Sequence, residues 1–160
     1  MNVLKKLALF TRDVLSYDEN LIRIGRQNFQ RKEFEEDYIV VDGIGASTPT
    51  GRIESYDGDT EVQSIGVRST KPCTLDFYGD NAFTNAAEFR LSLRTQLAYE
   101  LQKDLGIGVY GVSTETDVKA LTGQQYGNRV QLELNVQYCE TIDVDTLRID
   151  EAQFEFLKDN

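Results

Sequence analysis

Histidine is absent from the 160 residues of this chain. That excludes His-based triads, histidine general bases and the common zinc sites. Cysteine is scarce: Cys73 and Cys139 stand far apart. Both lie in alternating apolar stretches, which reads as small buried thiols in a reduced compartment. A disulfide stays open if their strands are neighbours. No metal or cofactor is expected, since a two-cysteine zinc site would need two carboxylates to complete it. No apolar run approaches the roughly 20 residues of a membrane span. Near the start, Lys5, Lys6, Arg12 and Asp13 interrupt any signal-peptide core.

Positive charge is also in short supply. Lys and Arg number 17 against 27 Asp and Glu, a formal net charge of −10. Such a surface repels phosphate backbones and anionic membranes, so neither non-specific nucleic-acid binding nor a membrane partner is expected. The densest basic group is Arg23, Arg26, Arg31 and Lys32. Acidic Glu33, Glu35, Glu36 and Asp37 follow at once, as in a mixed, solvated loop.

What is present is a pattern of helices and strands. Val3, Leu7, Phe10 and Val14 recur at helical spacing and predict an N-terminal helix over about 2–16. Tyr38 to Val41 is a strand core. Asp57-Gly58, between two strand-like runs, predicts a hairpin with its tip at that pair and weakly set register. Cys73, Leu75 and Phe77 alternate with polar residues. A Gly79-Asp80-Asn81 corner then opens one long helix, about 81–105, capped by Asp80, Asn81 or Thr84. Its stripe of Ala86, Phe89, Leu93, Leu97, Leu101 and Leu105 faces the sheet, which makes Leu93 and Leu97 core residues. Gly106 ends it. Val130, Leu132, Leu134, Val136 and Tyr138 share one face of the cleanest strand. Short apolar runs at 147–149 and around Phe154 and Phe156 close the pattern. The expectation is one domain over 1–160, of α+β class. It has a mixed, mostly antiparallel sheet, two helices packed on one face and a protruding β-hairpin.

Two motifs invite chemistry and fail on context. Gly106-Ile107-Gly108-Val109-Tyr110-Gly111 has the G-x-G-x-x-G spacing of a dinucleotide loop. It follows a helix and enters a strand, the reverse of what phosphate binding needs, so it reads as a helix cap. Asp57, Asp59 and Glu61 resemble the start of a calcium loop, but its sixth and twelfth positions hold Val62 and Arg68. Paired carboxylates could act as acid and base. None sits in an apolar run that would perturb it, so no enzyme is expected.

Leu75 to Leu97, "LDFYGDNAFTNAAEFRLSLRTQL", and Val118 to Tyr138, "VKALTGQQYGNRVQLELNVQY", together resemble the neck or tail-terminator proteins of tailed bacteriophages and their relatives in prophage-like particles. The likeness covers about the C-terminal two thirds. It implies a homo-oligomeric ring, typically a hexamer, at the head-proximal end of the tail. The ring would stop tube polymerisation and meet the head connector or head-completion protein. The implied partners are further copies, the tail tube protein and that connector, with DNA passing through the lumen without specific binding. The implied location is the virion neck or tail, after synthesis in the host cytoplasm.

The candidate interface residues are Tyr56, Asp57, Gly58 and Asp59 at the hairpin tip, with Arg23, Arg26 and Arg129. Asp76, Glu133 and the acidic tip are candidates to line the lumen. Two other readings remain: an assembly adaptor that forms no ring, and an enzyme using carboxylates.

Overall fold

A computed structural model describes residues 2–25, 37–118, 120–122 and 125–146. The basic group from Arg26 to Lys32, the acidic stretch 33–36 and the runs beyond 146 lie outside the described residues, and so do the expectations placed on them.

The chain opens with helix α1, Val3–Leu15. Asn2 caps it, its side chain accepting from Leu4 N at 3.0 Å. Ser16, in the left-handed region at φ 51°, closes it. Buried Thr11 stays satisfied by donating its hydroxyl to the Leu7 carbonyl at 2.9 Å. A single 3₁₀ turn, Glu19–Leu21, leads to β1, Ile22–Ile24, and then come β2, Tyr38–Gly43, and β3, Thr48–Asp57. β4, Val62–Tyr78, is one 17-residue strand. Helices α2, Ala82–Ser92, and α3, Gln96–Leu105, follow. Next are β5, Ile107–Tyr110, β6, Thr116–Asp117, and a small separate hairpin of β7, Ala120–Thr122, and β8, Gln125–Gly127. Strand β9, Arg129–Asp145, completes the described chain.

Seven strands form one sheet, with β1-β2-β4-β9-β5 in order, β3 beside β4 and β6 beside β9. Among the described strands, only β1 and β2 run parallel. The fold is therefore α+β, with a mixed, mostly antiparallel sheet. Its spine is the β4–β9 ladder, unbroken from Val62↔Asp145 to Tyr78↔Arg129. Along one edge of β4, β2 ends at Gly43↔Cys73 and β3 begins at Thr48↔Thr70. Pro72 lies in the gap between them. A strand residue's N–H and C=O point to the same side, and the Pro72 carbonyl accepts from Ile44 N at 2.9 Å. The missing N–H therefore faces the gap and removes no ladder bond.

The core fills one face of the sheet's body. Ile39, Val41, Leu75, Phe77, Leu132 and Val136 are fully buried beneath Leu7, Phe10, Ala86, Phe89 and Ala98 of the helices. Phe89 is the centre of an aromatic group, edge-on to Phe10 at 6.2 Å and tilted against Phe77 at 6.3 Å.

The helical layer differs from the expectation of two helices, one of them long. Three form among the described residues, because Thr95 breaks the stripe. Its hydroxyl donates to the Ser92 carbonyl at 2.7 Å and accepts from Ala98 N at 3.2 Å, ending one helix and capping the next. The break resets the helical phase. Leu93, Leu101 and Leu105 still pack on the core, but Leu97 is 49% exposed. The sequence-based placing of Leu97 in the core is thus overturned. Leu97→Ala is expected to change stability by no more than about 0.5 kcal/mol, as at a surface site, and a denaturant titration checks this. Gly106, at φ 61°, caps α3 and leads into β5.

Corrections also apply to the corner and the thiols. Gly79 adopts φ +101°, and a Cβ there would lie 2.2 Å from Asp37 Oδ1. That carboxylate takes the Asn81 backbone N–H at 3.0 Å, whereas the Asn81 side chain makes no capping bond to α2. Cys73 is buried, and burial pushes its thiol up to about 11. Cys139 is exposed, contrary to the reading of both as buried. Their strands are neighbours, but Cys73 stands opposite Leu134 and Cys139 opposite Arg68, so no disulfide joins them.

Candidate assembly interface

Past Tyr138, where β5 stops, the sheet continues as a three-stranded arm of β3, β4 and β9. This arm is broader than a hairpin, because β9 pairs along β4 to Val62↔Asp145. Seven residue steps carry it about 23 Å beyond the body. Its turn spans Gly58 to Glu61, with the positive φ of 54° at Glu61. The tip is thus a four-residue turn rather than a two-residue Asp-Gly one. Asp57 Oδ1 accepts from Asp59 N at 2.9 Å. Amide and hydroxyl donors from Asp59 and Thr60 hold the Asp57 carboxyl below its usual range. Thr146 N donates to the Glu61 carbonyl at 2.8 Å, tying the turn to the end of β9.

Alternation fixes what each face of the arm presents. Counting by twos from Leu75, the helix-side face of the sheet runs on through Val67, Ile65 and Gln63. Opposite them stand Glu140, Ile142 and Val144 of β9, and Arg52, Glu54 and Tyr56 of β3. Tyr56, Val67, Ile142 and Val144 are 46%, 40%, 65% and 42% exposed. An apolar strip therefore continues the core-facing side of the sheet into solvent. Ser64 on the opposite face donates to Asp143 across the strands at 2.5 Å.

The other face of the body is polar. Asp76, on β4, is 6% exposed. Its Oδ1 accepts from Arg129 Nε and Nη2, both at 3.2 Å, and from Gln131 Nε2 at 3.1 Å. The Arg129 guanidinium lies 5.6 Å from the Tyr78 ring centroid, and Tyr78 stacks on Tyr38 at 4.5 Å. Burial pushes the Asp76 carboxyl above its usual range; Arg129 and Gln131 pull it down, and Asp42 pushes it up. A raised folded-state value means that the native state holds more protons than the unfolded chain just above the usual carboxylate range. Stability from this group is then full at low pH and lost as pH rises through the raised value. Relative to Asp76→Asn, the wild type should therefore lose stability as pH rises from the usual carboxylate range through the raised value, as urea titrations at several pH values would show.

The sequence candidates are not brought together within one subunit. Tyr56, Asp57, Gly58 and Asp59 lie at one end of the β4–β9 ladder, and Arg129 starts the other. Sixteen residue steps separate those ends, about 50 Å of strand. Arg23, in register with Val40, belongs to the body, and Arg26 lies outside the described residues. Arg129 is engaged with Asp76 inside the subunit. Asp76, buried and ion-paired, presents no charge to a lumen, whereas Glu133 and the tip acids are exposed. Sequence reasoning missed Ile142 and Val144 by ending the last strand at Tyr138. The alternation of Ile142 and Val144 with acids was the available signal.

A family model described as phage neck terminator protein matches residues 1–160. The chain belongs to this family. The match takes in the N-terminal third as well as the segments that carried the resemblance. Membership makes the protein a structural component of the phage neck, located in the virion and interacting at the tail–head junction. The family is a structural one and not an enzyme class. A comparison with curated proteins gives no match. Among the described residues, no group of three or more Cys, Asp or Glu side chains could hold a metal ion, and no helix is long and apolar enough to cross a membrane.

Proposed function

We propose that this neck protein forms a ring, a homohexamer, at the head-proximal end of the tail. The ring ends tube polymerisation and joins the tube protein to the head connector. DNA passes through the lumen without specific binding, and the protein performs no catalysis. The observation that carries the reading is the combination of a whole-chain family match with an arm that projects beyond the core and leaves apolar side chains exposed. An isolated subunit gains nothing from such an arm, but a subunit with neighbours on both sides does.

Electron microscopy of the purified protein, alone and mixed with tube protein, tests it. Closed rings, and tubes capped at one end and no longer growing, are expected. A species that stays a monomer or dimer and never caps tubes would leave the adaptor reading in its place. Removing Tyr56 to Thr60 should leave the unfolding midpoint near that of the full chain and abolish ring formation.

A further inference from the structure

We infer that the subunits join head to tail, the apolar strip of one arm seated on the exposed helical surface around Leu91, Arg94 and Leu97 of a second copy. This rests on the ring reading and specifies its contact. Two of the exposed apolar surfaces among the described residues are suited to meet in this way. The first is the arm strip of Ile65, Val67, Ile142 and Val144. The second lies at the α2–α3 break, where Leu91 is 67% and Leu97 49% exposed. The chain cannot bring its own two together, since the strip belongs to the same continuous ladder whose body carries the helices.

Charge selects the pairing. The arm, Thr48 to Arg68 with Cys139 to Asp145, carries seven acids and two bases. Helices α2 and α3 with the turn at 93–95 carry three bases and three acids, a neutral surface on a strongly acidic chain. Arm against arm would bring acid against acid, while arm against this neutral helical surface avoids that repulsion and offers Arg94 to the arm's acids. The faces also match in detail. Exposed Glu140 stands opposite Val67 on the strip, and exposed Arg94 lies between the two leucines in sequence. A contact between two different patches is heterologous, so each copy uses its arm once and its helices once. Such contacts close into a ring when the rotation allows.

The test uses one disabled face per chain. Ile142→Asp damages the arm and Leu97→Asp damages the helical surface; both positions are exposed, so unchanged circular dichroism and thermal midpoints are expected. Sedimentation should show assembly of the wild type and monomers for each variant alone. An equimolar mixture should give a one-to-one heterodimer and nothing larger, because one intact arm meets one intact helical face. Glu140→Arg should weaken assembly at least tenfold, and adding Arg94→Glu to the same chain should restore it. A mixture that stays monomeric, a single variant that assembles like the wild type, or a wild type that never self-associates overturns the inference. If rings still form on tubes in any of those cases, the ring reading survives. Heterodimers from the mixture with no closed ring from the wild type would instead sink the ring and keep the contact.

Discussion

Phe89→Ala is expected to destabilise the subunit by about 3–5 kcal/mol. Phe89 is fully buried in α2 and meets rings from two other elements: Phe10 of α1 edge-on and Phe77 of β4 at a tilt. Truncation removes a large apolar transfer gain and leaves a cavity whose walls sit on three different elements. Collapse would require α1 to move toward the sheet, and its own anchors Leu7 and Phe10 are already seated there. The site therefore relaxes poorly and the cost lies high in the usual range. Chemical denaturation with matched slopes measures it. A loss below about 1 kcal/mol, the level of a surface change, would mean that α2 packs differently.

Arg129→Met is expected to cost about 2–3 kcal/mol at pH 7, below the 3–5 of a fully buried pair because Arg129 keeps some solvent access. The variant leaves the Asp76 carboxylate buried with Gln131 as its remaining side-chain donor. The loss arises from a stranded charge, so two manipulations should shrink it. Asp76→Asn in the same chain removes the charge, and acidification protonates it. A double-mutant cycle at pH 7 should give a coupling of about 1–2 kcal/mol. Equal costs of Arg129→Met in the wild type and in the Asp76→Asn background would show that Arg129 acts only by packing on Tyr78.

The sheet was largely legible because burial on one face writes itself as alternation. Val130 to Val136 and Cys73 to Phe77 were read in their observed places for that reason, and Gly106 announced its cap through the β-branched residues that follow. The helical layer was less legible. Leu93, Leu97, Leu101 and Leu105 hold one spacing across a break that depends on a single hydroxyl, and periodicity cannot register Thr95 as a cap. The sequence pattern divides β4 in two because its middle, Arg68 to Pro72, alternates weakly and contains a proline; the gap that accommodates Pro72 is a property of the neighbouring strands. The candidate interface divided in the same way. The tip was visible through Asp57-Gly58, but the partner of Arg129 lies 53 residues away on another strand. Local sequence carries no record of such a pairing. The apolar strip is not legible in the sequence because each strand contributes only two aliphatic residues, Ile65 and Val67 among small and polar ones and Ile142 and Val144 among acids, and the patch exists only in register.

That register imposes an order in time. Within the arm, Asp57 pairs with Val62 across a short turn, a contact that can close within microseconds. Val62 pairs with Asp145, and this must wait for a loop of more than eighty residues to close. Half of the apolar strip, Ile65 and Val67, is synthesised early; Ile142 and Val144 emerge after every other described strand. A chain still on the ribosome thus carries a hairpin with half a surface, unable to capture a neighbour in full. On the head-to-tail contact inferred above, subunits would become adhesive only when β9 has docked, and partly made chains would be kept out of the assembling neck.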